Sequence, residues 1–359
     1  MKLFGDAYRG RRVLLTGHTG FKGSWLAYWL TQLGADVTGI ALAPQTTPSH
    51  WDLLGLDIEE HRLDIRDERA LADAVAAARP EIVFHLAAQP LVRRSYREPL
   101  ETWSTNVMGT ANLLESCRSI ESVRAVLVVT SDKCYENQEW LWGYRESDKL
   151  GGHDPYSASK AATEILVASY RASFMSGADA PLIASARAGN VIGGGDWSED
   201  RLIPDIFRAV QAKASLEIRS PHATRPWQHV LESLSGYLLL GQKLLNREHG
   251  FDEAWNFGPD QAGNQPVGVV MKRIAALWPE LKWHITDSTH AHEAKLLYLD
   301  SAKARASLAW EPVWGLDDAL ANTIDWYQTY LSTSDIRTPY QLEDYLRTAA
   351  QAGASWCQP

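Results

Sequence analysis

Tyr156 and Lys160 stand four residues apart in the run YSASK. On a helix that spacing puts both side chains on one face, so a phenol and an ammonium can share a single site. A phenol titrates near 10 and acts as a base near neutrality only where positive charge favours the phenolate. Lys160 is one source of that charge. Upstream, an apolar run ends in Val129-Thr130-Ser131-Asp132-Lys133-Cys134-Tyr135. Polar groups there fall at the carboxyl end of a strand, where ligands bind in open α/β sheets. Ser131 is expected to hydrogen-bond a hydroxyl undergoing oxidation. Asp132 and Lys133 point further, because simple oxidation or epimerisation needs no acid and base beyond Tyr156. Loss of water across two carbons needs both a proton donor and a proton acceptor beside the substrate.

These residues need a scaffold, and the segment RVLLTGHTGFKGS from Arg12 to Ser24 supplies its beginning. Gly17 lets the chain turn out of a strand, Gly20 lets backbone approach a phosphate, and Gly23 lets the next helix pack closely. Free N–H groups and the positive dipole end of that helix then face an anion. Val13, Leu14 and Leu15 precede the loop as a buried strand, Trp25, Leu26, Trp29 and Leu30 follow at helical spacing, and a second strand over 36–42 completes a βαβ unit. The loop reads as a dinucleotide pyrophosphate site, and an oxidised nicotinamide is then a second cation for Tyr156.

Further short apolar runs at 58–63, 82–87, 125–130 and 182–186 leave room for helices at 68–79, 100–117 and 155–174. This is the pattern of a Rossmann-type doubly wound parallel sheet. Past Arg187 the pattern loosens into Gly-rich and Trp-rich segments with helices at 231–245 and 316–331. The fold class is therefore α/β, with a dinucleotide-binding domain over 1–186, a smaller and mainly substrate-binding α/β part over 187–335, and a tail over 336–359.

Composition sets outer limits. The 359 residues are 45% hydrophobic and 22% charged, as in soluble globular chains, and their number suffices for a large core. A net charge of −9 lacks the basic field of a nucleic-acid binder and leaves recognition of an anionic substrate to local arginines. No signal peptide or membrane span is read, so a cytoplasmic enzyme is expected. Cys117, Cys134 and Cys357 form neither a disulfide set nor a metal-ligand spacing, and no metal is expected.

The G-x-x-G-x-x-G spacing is that of the extended short-chain dehydrogenase/reductase superfamily. Together with HLAAQPLV (85–92), TNVMGT (105–110), TSDKCY (130–135), YSASK, RAGNVIGGGDW (187–197) and RPWQHV (225–230), it resembles the CDP-glucose 4,6-dehydratases, nearly end to end as far as Trp326. The resemblance implies that NAD lies against Gly17, Thr19, Gly20, Phe21, Lys22 and Gly23, with Asp64 and Ile65 beside its adenine. Leu86, Ala87, Ala88, Gln89, Thr130, Tyr156 and Lys160 then line the rest of the dinucleotide cleft. For CDP-glucose, the sugar nucleotide so implied, Ser131, Asn190, Arg201, Leu202, Arg225 and Asn256 are the matching positions. Asp132 matches the acid that protonates the departing 6-hydroxyl, and Lys133 stands where dTDP-glucose and GDP-mannose dehydratases usually carry a glutamate base. A lysine desolvated in the cleft, or a nearby group, takes the C5 proton. A homodimer formed through the helices at Leu100 and Pro155 is also implied.

Two departures accompany the resemblance. The second strand ends Ile40-Ala41-Leu42 without the carboxylate that holds the adenosine ribose, so NAD is expected to be held more loosely. Around 290–295 the arginine carried by dTDP relatives is missing. The rival readings are another nucleotide-sugar 4,6-dehydratase, a nucleotide-sugar 4-epimerase and a non-catalytic NAD(P)-sensing regulator. Retention of the Tyr–Lys pair argues against the last.

Overall fold

A computed structural model of the chain describes residues 2–177, 179–286 and 296–358; the 290–295 segment lies outside them. Its centre is a parallel sheet of β1 (Arg12–Thr16), β2 (Asp36–Ala41), β3 (Glu59–Arg62), β4 (Ile82–His85), β5 (Ala125–Val129), β6 (Leu182–Ala188) and β7 (Ala254–Phe257). The spatial order is β7-β6-β5-β4-β1-β2-β3. The chain runs outward one way from β1 and then outward the other way from β4. The crevice between those two strands is the switch point at which such sheets bind ligands.

The helices that bear on the site are α1 (Phe21–Gln32), α2 (Glu68–Ala78), α3 (Gly109–Arg118), α4 (Pro155–Ser173), α5 (Leu202–Gln211), α6 (Val230–Leu245), α7 (Leu316–Thr333) and α8 (Thr338–Gln351). Strand residues alternate between the two faces of the sheet. Leu14, Val83, Val126 and Val128 pack with Leu71 and Val75 of α2, Leu113 and Leu114 of α3 and Val167 of α4. Val13, Leu15, Phe84 and Leu127 pack with Trp25 and Leu26 of α1 and Leu234 and Leu238 of α6. Both of these last helices are buried over most of their surface, as befits helices covered on both sides.

The tail provides part of that outer cover. Cys357–Gln358 pairs antiparallel with Lys2–Leu3, and Trp356 stacks on Phe4 at 5.0 Å between ring centres. Glu232 of α6, fully buried, accepts the backbone N–H groups of Val313 and Trp314 at 2.9 and 2.7 Å and the hydroxyl of Tyr345 on α8 at 2.9 Å.

Two elements differ from the sequence pattern. The sheet draws β7 from the segment expected to form the substrate-binding part, a strand of four residues, too short to stand out by periodicity. The single helix expected over 100–117 is three pieces, Pro99–Trp103, a π-helical turn over Ser104–Met108, and α3. Among the described residues no helix is long and apolar enough to cross a membrane.

Gly194 lies against the indole of Trp326 on α7, so close that an added Cβ would meet the ring Cγ at 1.9 Å. Trp326 is fully buried and has nowhere to move. Gly194→Ala should therefore cost about 1–3 kcal/mol through overpacking, read as a lower melting temperature; an unchanged melting temperature would show that the contact yields freely.

Candidate active site

The carboxyl ends of β1, β4, β5 and β6 open onto one cleft of about 2310 Å³. A pocket for one small ligand spans about 300–1,000 Å³, so this cleft has room for two. Every site residue expected from the sequence lines it except Asn256.

On one side is the glycine loop. Gly17 sits at φ 77° with the backbone of Ala87 so near that a Cβ would lie 2.7 Å from its nitrogen. Only glycine meets both conditions. α1 starts at Gly20 without a side-chain cap, which leaves its first backbone N–H groups directed at the cleft and suited to a pyrophosphate. Thr19 donates to the carbonyl of Leu42 at 3.0 Å. Asp64 is gripped by Arg66, whose hydrogen bonds hold its carboxyl below the usual range. The side chain of Gln89 bonds Thr102 and the backbone of Leu91, so it shapes the loop wall. No carboxylate follows β2; the nearby Glu60 of β3 instead bonds buried His18 at 3.0 Å.

The reacting end lies after β5. Ser131 caps the short turn Asp132–Cys134, accepting the N–H of Lys133 at 3.2 Å, and donates to Asp132 Oδ1 at 3.0 Å. Asp132 is buried, and burial raises its pKa, against the pull of Lys133, Ser131, Arg225 and Lys22. Its second oxygen has no hydrogen-bond partner among the described residues. A carboxyl in that state holds a proton readily and can donate it. Lys133 is partly exposed at the cleft wall.

α4 begins where Asp154 accepts the N–H of Ser157 at 2.9 Å and Pro155 occupies its first turn. Tyr156 and Lys160 thereby project from adjacent turns, both buried. Burial pushes the Tyr156 phenol up to about 12, while the Ser131 hydroxyl pulls the other way. Lys160 donates to the Val129 carbonyl at 3.2 Å rather than to the phenol, and burial lowers it to about 8. Lys22, on the first turn of α1, reaches the Tyr237 hydroxyl at 3.4 Å; burial, with Arg201, lowers it to about 7. The Thr130 hydroxyl turns away from the cleft to Glu164.

Across the cleft stand Asn190, Arg201, Leu202 and Arg225. Arg201, just before α5, pairs with Asp196 at 2.9 Å. Arg225 is buried and donates to the Thr224 carbonyl at 2.8 Å. Asn256 belongs elsewhere: its amide oxygen accepts the Tyr135 hydroxyl at 2.8 Å and its nitrogen donates to the carbonyls of Tyr144 and Asp300. A fully buried amide with both ends occupied braces the wall and cannot hold a ligand in the cleft. Arg93, Arg208 and Arg219 also line the cleft. Isolated arginines carry no spacing signal in a sequence.

Residues 14–323 match the family model described as GDP-mannose 4,6 dehydratase. The chain is 47% identical over 348 residues to CDP-glucose 4,6-dehydratase of Salmonella typhimurium strain LT2, covering 94% of this chain and 97% of that one. Among solved structures, MoeE5 in complex with UDP-glucose and NAD is 28% identical, with a TM-score of 0.73 over 89% of this chain and 99% of that one. UDP-glucose 4-epimerase of Thermotoga maritima shares the fold at 22% identity, with a TM-score of 0.77 over 89% and 99%.

Proposed function

The chain belongs to the GDP-mannose 4,6-dehydratase family, and on that premise we propose that it is an NAD-dependent hydro-lyase converting CDP-glucose to CDP-4-keto-6-deoxyglucose and water. The observation that carries this reading is Asp132, a buried carboxyl whose pKa is raised, next to Ser131 and in the same cleft as Tyr156. An epimerase has no use for a second proton donor there.

NAD, which the glycine loop at 17–23 with Tyr156 and Lys160 would hold, would supply reversible hydride chemistry between C4 and C6, so that no outside reductant is consumed. Tyr156 accepts the proton of the 4-hydroxyl. Its phenol stays neutral in a cleft without added charge, and positive charge entering the cleft favours the phenolate. Ser131 orients that hydroxyl. With C4 a ketone, the C5 proton is acidified and passes to Lys133 or a nearby group, while Asp132 protonates the 6-hydroxyl as it leaves as water. Arg201 and Arg225 face the diphosphate of the sugar nucleotide, which suits a guanidinium fork.

In this reading residues 1–186 hold the dinucleotide and 187–335 mainly the sugar nucleotide, with 336–359 as core cover. The protein is a cytoplasmic homodimer whose contact is formed by the helices that begin at Pro99 and Pro155. Support for the contact comes from large apolar side chains left exposed on them, Leu100, Trp103 and Ile165, with Met108 on the turn between. Sedimentation should give twice the chain mass, and a monomer at micromolar concentration would contradict the dimer.

CDP-glucose deuterated at C4 should give product with deuterium at C6, and reaction in heavy water should place solvent deuterium at C5. Label returned to C4 marks an epimerase instead, and label released on free cofactor an ordinary dehydrogenase. Asp132→Asn should retain exchange at C5 yet lower formation of the 6-deoxy product by about 10²–10⁴-fold, the range for loss of an acid–base group; normal product formation would remove Asp132 from the mechanism.

A further inference from the structure

Behind Tyr156 and Lys160 lies a buried ionic cluster that none of the steps above employs. Glu164 stands four residues after Lys160 on α4, on the same face one turn along. Its Oε1 accepts the hydroxyl of Thr130, at the end of β5. Its Oε2 accepts the hydroxyl of Ser185 at 2.7 Å and the Arg187 guanidinium at 2.7 Å, both from β6. Glu164 and Arg187 each expose 3% of their side chains. Arg187 also donates to the Tyr135 hydroxyl at 2.6 Å. Two strands and a helix thus converge on one carboxylate. An ion pair this deep gains little stability over an apolar pair of the same volume, so packing alone is a weak reason for it.

Lys160 gives a stronger one. Its ammonium is anchored on the carbonyl of Val129, the residue before Thr130, so consecutive residues of one strand end hold Lys160 and Glu164. The titratable groups facing Lys160 are Tyr156 and Glu164 on its own helix, Cys134 after β5, His85 on β4 and Lys22 on α1. Burial keeps the Cys134 thiol and the His85 imidazole neutral near pH 7. Among these described groups only Glu164 is an anion. Burial drives Lys160 toward the neutral amine, and Glu164 opposes it.

We propose that Glu164 is the positioning residue of the Tyr156–Lys160 pair: its carboxylate, paired with Arg187, keeps Lys160 protonated and, through Thr130, fixes the strand end from which Ser131 and Asp132 project. The consequence for turnover rests on the dehydratase reading above; the effect on Lys160 does not.

The sign follows from the charge. Lys160 is cationic below its pKa, so weakening Glu164 lets it lose its proton at lower pH and brings the high-pH fall in activity down with it. Glu164→Gln keeps the shape and removes the charge. Lys160 is titrated without substrate, by competitive acylation with acetic anhydride across pH and peptide mass spectrometry. Its midpoint should fall below the parent's by about one unit, a tenfold change in protonation equilibrium. The fall of kcat at high pH should move down by the same amount, with KM for CDP-glucose little changed. A folded Glu164→Gln protein with an unmoved midpoint would overturn the proposal. Should that variant not fold, Arg187→Met, which leaves the carboxylate unopposed, is compared with Glu164→Gln/Arg187→Met, which lacks both charges. A midpoint about one unit lower in the double variant than in Arg187→Met supports the proposal, and equal midpoints in the two reduce the pair to a structural element. A lowered midpoint in a protein whose parent does not dehydrate CDP-glucose would end the reaction assignment and leave the role of Glu164 intact.

Discussion

A parallel strand covered on both faces by helices has one place to present a polar side chain, the end where its ladder stops. β5 is buried at every residue from Ala125 to Val129, and the chain turns polar at Thr130, as soon as the sheet ends. β1 and β4 end level with each other, Thr16 beside His85. All strands run the same way, so these ends collect on one edge of the molecule. The cleft is the geometric consequence of that constraint, and its chemistry is whatever the few residues after each strand carry.

The second determinant is dryness. Burial, acting on groups from three different elements, moves each toward its neutral form: Asp132 and Tyr156 upward, Lys22 and Lys160 downward. One physical cause thus leaves a carboxyl able to donate a proton and lysines close to giving one up near neutral pH. Charge that is retained there has a visible partner, as with Arg201 on Asp196 and Arg187 on Glu164. The cleft holds its groups near the point of proton transfer because burial of these side chains outweighs the charges that oppose it.

The scaffold is held from outside by aromatic packing. Trp326 covers Gly194, Trp356 covers Phe4, and Tyr345 meets Glu232, which joins the tail to the helix behind the sheet. Gly194 is the middle of a run of three glycines at 193–195. In the fold, Gly194 is the space an indole occupies.

The residues from 12 to 24, the YSASK pair and the polar end of β5 were legible from sequence because their meaning is local: a turn, a helical spacing and a strand boundary each depend on neighbours within a few positions. The apolar runs likewise determined six strands of the sheet, with their ends moved by one or two residues. Side-chain partnership was not legible. The match at Asn256 implies a ligand contact where the fold has a brace, nothing in YSASK shows that the Lys160 ammonium is anchored on Val129, and Glu164 carries no sequence signal of its own. A buried carboxylate gains its role from groups distant in the chain, here Ser185 and Arg187 on a strand that only the sheet brings alongside. Sequence spacing determined which chemistry was available. Tertiary packing decided which groups are dry, which are paired and which face the cleft, since burial and pairing depend on distances the linear chain does not contain.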